Sequence, residues 1–149
     1  IQDFEYTIYG SGPVAGITVP DESIDEAVEA LKNSNGHYQV YRRQDVPDYF
    51  HYSNHPFIPP IVLIADMGWS IVHNNAYRSV AVGGNHGYDN HHLDMHGIFY
   101  AIGPAFKPGY RTGTIRNIDI YPLLCEIFDI IPRQNIDGDL NRIEFILKK

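Results

Sequence analysis

A single cysteine, Cys125, stands among 149 residues, which excludes an internal disulfide. It falls inside an apolar helical pattern and reads as a small buried hydrophobe, so the redox compartment stays open. Long hydrophobic runs are missing as well: no segment approaches the roughly 20 consecutive apolar residues of a membrane helix. Positive charge is sparse. Eleven Lys and Arg against eighteen Asp and Glu give a net charge of −7, and the cations are scattered rather than striped. That excludes a nucleic-acid surface, and phosphate chemistry here needs metal ions to offset the negative charge of protein and substrate together. The first residues, Ile1-Gln2-Asp3-Phe4, carry no basic region, no cleavage-type apolar run and no initiating Met, the beginning expected of a chain cut from something longer. Internal repeats, low-complexity tracts and linkers are absent.

What is present suits one domain. A globule of this length buries about 68–70% of its unfolded surface, and 44% hydrophobic residues with 19% charged is ordinary for a soluble protein. Alternation predicts strands over Phe4 to Tyr9 and Val14 to Val19, broken by Gly10-Ser11-Gly12-Pro13. Ser23-Ile24-Asp25-Glu26 has the form of a capping box. Behind it Ile24, Ala27, Val28 and Leu31 share one helical face, ended by Asn35-Gly36. Tyr38 to Tyr41 reads as a strand. Tyr49 to Pro60 is an aromatic, proline-rich loop whose rings either line a pocket or pack over the core. Ile61 to Ala65 and Trp69 to His73 suit a β-hairpin, with Trp69 in the core. Ile98 to Ile102, bounded by Gly97 and Gly103-Pro104, reads as a buried strand. Ile120, Leu123, Leu124, Ile127, Phe128 and Ile131 trace a helical stripe capped by Asp119, with Pro122 in its first turn and Pro132 at its end. This order of elements predicts a mixed α/β or α+β chain.

The chemistry concentrates in Gly83-Gly84-Asn85-His86-Gly87-Tyr88-Asp89-Asn90. Two glycines before His86 and one after it let the backbone turn tightly and present the imidazole. Taken alone, such a histidine is either a metal ligand or merely hydrogen-bonded. Asp89 either orients an imidazole N–H or caps the turn through backbone N–H groups. His91, His92, Asp94 and His96 form a second cluster, but they share a face only on a helix, which Gly97 and the following strand oppose.

This loop, together with Met95-His96 and Gly103-Pro104-Ala105-Phe106-Lys107, resembles the C-terminal part of the catalytic domain of nucleotide pyrophosphatase/phosphodiesterases, in the alkaline phosphatase superfamily. The likeness resumes in Phe50-His51-Tyr52, Ile58-Pro59-Pro60-Ile61, Ala65-Asp66-Met67-Gly68-Trp69 and Asn117-Ile118-Asp119-Ile120-Tyr121-Pro122-Leu123-Leu124-Cys125, covering roughly positions 10 to 140 in order. The resemblance implies an alkaline phosphatase-like α/β sandwich. Residues from about 81 to 149 would belong to its core, and residues 1 to about 75 would form a small antiparallel β lobe. It also implies that His86 ligates one of two zinc ions. Residues 134–140, with Asp137-Gly138, depart from the Pro-rich, Asn-Gly loop expected of the family.

The rest of that site has no counterpart here. The family uses a nucleophilic threonine, an Asp-x-x-x-His pair and an adjacent Asp-His pair, yet no Asp in this chain has His one or four positions later. Thr7, Thr18, Thr112 and Thr114 lie in no nucleophile-like context. The chain is therefore read as a C-terminal fragment, inactive alone, whose partner is the N-terminal part of the same catalytic domain. The parent enzyme would hydrolyse phosphodiester or pyrophosphate bonds of nucleotides and release nucleoside monophosphates, in the periplasm or outside the cell. Two rival readings remain: a non-catalytic domain holding a sugar or nucleoside on the 49–60 loop, and a superfamily relative acting on phospholipid headgroups or phosphonates.

Overall fold

The computed structural model describes residues 5–73 and 84–148. Two compact units divide the chain, Ile1–Gly97 and Ile98–Lys149. The boundary expected between 75 and 81 lies outside the described residues.

In the first unit, β1 (Thr7–Tyr9), β2 (Val14–Thr18), β3 (Tyr38–Arg42) and β4 (Ile61–Ala65) form one antiparallel sheet in the order β1-β2-β4-β3. All five residues of β4 are buried, as its unbroken Ile-Val-Leu-Ile-Ala run requires of a strand covered on both faces. One face carries Ile17, Ile61 and Leu63 against Ala27, Val28 and Leu31 of helix α1 (Ile24–Lys32). On the other, Val62 and Ile64 meet Val46 and Ile58, with Phe50 packed alongside. Alternate residues of one strand thus feed two cores.

Three expectations for this unit need correcting. No capping box forms, because Asp21–Ser23 winds a 3₁₀ turn, with Ser23 N–H donating to Pro20 O at 2.8 Å. That turn leaves Ser23 in the αR region rather than the extended one a capping residue uses. The 61–73 hairpin is absent: β2 and β3 already occupy both edges of β4, so Trp69–His73 has no edge to join. Within that segment Ile71 forms an isolated bridge, exchanging N–H···O bonds of 2.8 Å with Gly12. Trp69 is half exposed and stacks on His37, ring centroids 3.6 Å apart, instead of entering the core.

In the second unit, α2 (Ile120–Ile127) packs Leu123 against Ile143 and Ile146, with Phe106, Ile115 and Leu140 around them. Cys125 is buried and Pro122 lies in the first turn, both as expected. Asp119 does not cap. It ends a 3₁₀ turn, Asn117–Asp119, in αR geometry, and its carboxylate turns to Arg142. The helix stops at Ile127, five residues short of Pro132, where Asp129 takes φ +53°. Of the expected stripe, Leu124, Phe128 and Ile131 are exposed. Ile98–Ile102 forms no strand, and Ile102 is 99% exposed. Extended backbone becomes a strand only beside a partner, and none lies alongside it among the described residues.

Candidate functional site

The glycine loop is held on the first unit by a few contacts. Gly87 takes φ +96°, a region only glycine enters without strain, while a Cβ added there would rest at ordinary distance from Pro13. Its requirement is therefore conformational. Gly83 lies outside the described residues. His86 is exposed, and its backbone N–H donates to Asn85 Oδ1 at 2.9 Å. Among the described residues, no hydrogen bond or ion pair engages its ring. The next residue but one, Tyr88, is buried and roots the loop.

Asp89 is the hub of this region. Its Oδ1 accepts the His91 N–H at 2.8 Å, an Asx-type turn, and its Oδ2 accepts the Tyr49 hydroxyl at 2.9 Å. Tyr49 comes from the 3₁₀ turn Asp48–Phe50. Its ring stacks on His91 at 4.0 Å and tilts against Phe50 at 4.3 Å. Burial, then the hydrogen bond to Asp89 and that carboxylate's charge, push the Tyr49 phenol up to about 12. Burial and the Asp89 charge push the Tyr41 phenol up as well. Tyr49 therefore stays a donor across the neutral and mildly alkaline range.

The histidine cluster does not assemble. Leu93–Met95 is a 3₁₀ turn between extended His92 and His96, and His91 Nδ1 sits 3.9 Å from Asp89 Oδ1. Among the described residues, no three His, Cys, Asp or Glu converge to hold a metal ion. His86 offers an exposed imidazole on a turn, with its backbone N–H bonded to Asn85, so its donor chemistry fits a zinc ligand. Tyr49 was not singled out in the sequence. Its only sign there was the density of aromatics in 49–60.

That loop divides in two. Phe50 packs on the core, whereas Tyr52 and Phe57 are exposed beside a concavity of about 680 Å³ that Tyr9, Arg43 and Pro59 also line.

The family profile described as type I phosphodiesterase / nucleotide pyrophosphatase matches residues 2–89. Human bis(5'-adenosyl)-triphosphatase ENPP4 is 42% identical over 130 residues, covering 87% of this chain and 28% of its own. Human ectonucleotide pyrophosphatase/phosphodiesterase family member 5 is 41% identical over 125 residues, 84% of this chain and 26% of its own. The solved structure of human ENPP5 superimposes with a TM-score of 0.84 at 37% identity, over 97% of this chain and 38% of that one. Murine ENPP5, as an inactive variant in complex with AMP, gives 0.83 at 33% identity, over 96% and 37%. The chain thus spans about three tenths of the curated relatives' length, and the fold it matches is alkaline phosphatase-like. On this agreement of profile, sequence and fold, the chain belongs to the type I phosphodiesterase / nucleotide pyrophosphatase family.

Proposed function

We propose that these residues are part of a zinc-dependent phosphodiesterase/nucleotide pyrophosphatase that splits phosphodiester or pyrophosphate bonds of nucleotides, and that His86 is their contribution to its metal centre. The observation that carries this is the exposed His86 ring on a glycine-shaped turn, in a family member whose solved neighbour includes a complex with AMP. His86 would hold one zinc through a ring nitrogen. Bound zinc would supply positive charge opposite the phosphoryl oxygens, which a chain of net charge −7 cannot offer by itself. Gly87 sets the turn, Tyr88 roots it, and Asp89 closes the next turn through the His91 N–H. The nucleophilic threonine and the remaining ligands would come from the N-terminal part of the same catalytic domain. Exposed Ile98, Tyr100 and Ile102 support that division, since apolar residues of this density are normally covered. Export to the periplasm or cell exterior belongs to the same reading.

The test is the full-length parent carrying His86→Asn, assayed for bound zinc and for turnover of a nitrophenyl nucleotide ester. Loss of zinc with a fall in turnover of more than about 100-fold is expected, exceeding what outer-shell changes cost. Wild-type zinc content and turnover would remove His86 from the site.

A further inference from the structure

We infer that Tyr49 is a positioning residue for the metal-ligand loop, acting through Asp89. The inference rests on the zinc reading of His86 and adds to it a residue from a separate turn, whose hydroxyl reaches Asp89 across forty positions of sequence.

The His86 loop has few anchors. Its glycines contribute no side chains, and Asn85 and Asn90 are exposed. Tyr88 roots one point of it. Among the described residues, the side-chain hydrogen bond that ties it to another segment of the unit is the one from the Tyr49 hydroxyl to Asp89 Oδ2, 2.9 Å long and partly buried. Asp89 is three residues from His86, and its other oxygen is committed to the His91 N–H. The carboxylate therefore joins two segments: one oxygen shapes the 89–91 turn, the other fixes that turn to the Asp48–Phe50 turn. Tyr49 is itself held, its ring in contact with both His91 and Phe50, and Phe50 packs on the core cluster that contains Val46 and Ile58. A continuous path of contacts thus runs from the buried core through Phe50, Tyr49 and Asp89 to the backbone that carries His86. Groups that orient a metal ligand set its affinity, and their loss costs about 10–100-fold. Because Tyr49 acts one step further out, its effect belongs at the lower end.

Tyr49→Phe removes one oxygen and keeps the stacked ring. In the full-length parent, this variant is expected to bind zinc about 10-fold more weakly in chelator competition, with the zinc-loaded form losing no more stability than one hydrogen bond supplies. Excess zinc should restore turnover with KM unaltered, a rescue that a merely structural defect would not show. Asp89→Ala should weaken zinc at least as much, and adding Tyr49→Phe to it should change nothing more, since the hydroxyl has lost its acceptor. Wild-type zinc affinity in Tyr49→Phe, or additive effects in the double variant, would overturn the inference. His86→Asn separates the two readings. If it strips zinc while Tyr49→Phe does not, the tether alone is refuted; if neither alters zinc binding, the metal reading falls and the tether falls with it.

Discussion

Asp119 offers the sharpest test of what holds the second unit together. Its carboxylate is 2% exposed and accepts from Arg142 Nη2 at 2.6 Å and Arg142 Nε at 3.0 Å, and from the Asp139 N–H at 2.9 Å. Arg142 also donates to Asp137 O at 2.8 Å, so one ion pair ties the start of α2 to the 137–142 loop. Burial pushes the Asp119 carboxyl up, but the hydrogen bonds from Arg142 and the Asp139 N–H, with the charges of Arg142 and Arg116, outweigh it and hold the group below the usual carboxylate range. Breaking a buried pair costs about 3–5 kcal/mol. Arg142 is 35% exposed and regains water when Asp119 is lost, which places Asp119→Ala at about 3 kcal/mol. At about 1.4 kcal/mol per tenfold, that is a loss of roughly 100-fold in hydrogen-exchange protection.

The loss should be local. The amides of Lys107 and Lys148, bonded to Ile146 O and Ala105 O, should lose protection, while those of Ala65 and Asp66 in the first unit keep theirs. Because the folded carboxyl titrates below its unfolded value, its stabilisation is complete above the usual carboxylate range. It is lost as pH falls below that range and through the depressed folded value, so the difference between wild type and Asp119→Ala should shrink in acid. Arg142→Leu should do more damage at neutral pH, since it strands a buried carboxylate, and should recover as acid protonates Asp119. Protection of Lys107 and Lys148 within about threefold of wild type in Asp119→Ala would refute the reasoning, since about 3 kcal/mol predicts far more.

Tyr49 should titrate near 12, against about 10 for an ordinary phenol. Its stabilisation is present below about pH 10 and lost as pH rises through about 12, and a ring-carbon NMR titration giving an ordinary value would break the bond to Asp89 on which the loop depends. Gly16 lies in β2 with no room above it, because a Cβ there would stand 2.4 Å from Pro59 Cγ. Gly16→Ala should therefore cost about 1–3 kcal/mol through overpacking, seen as a lower urea midpoint, and an unchanged midpoint would show that the 59–60 segment yields freely.

The parts of this fold legible in the sequence are those whose partners are local or share the first unit. Ile24, Ala27, Val28 and Leu31 announced α1 correctly because a helix makes its own backbone bonds and its apolar face found Ile17 and Leu63. The unbroken run of β4 likewise signalled a strand covered twice. Failures came where a residue had two available roles. Ser23 and Asp119 both have the chemistry of a cap, but a cap needs extended backbone, and the 3₁₀ turns before α1 and α2 deny it. Arg142, twenty-three positions away, then claimed the Asp119 carboxylate, a choice no local pattern encodes. Asp89 shows the same logic at the candidate site. Its turn to His91 could be read from sequence, whereas the bond to Tyr49 depends on two loops that only the folded sheet brings together.

Ile98–Ile102 marks where pattern reasoning meets its physical limit. Hydrophobicity reports a residue's preference for leaving water, not the identity of what will cover it. A helix can express that preference alone, but a strand must also find a neighbour for every second N–H and C=O. Here the residues keep the composition of an interior strand while remaining exposed, in a chain that matches 38% of the ENPP5 structure. The same reasoning separates α2 into a face satisfied by Ile143 and Ile146 and a face bearing Tyr121 and Leu124 that is not. Apolar patterning that goes unburied in this chain is thus the expected counterpart of a lone imidazole at residue 86, since under the proposed function core and metal centre alike are completed by other residues of the same catalytic domain.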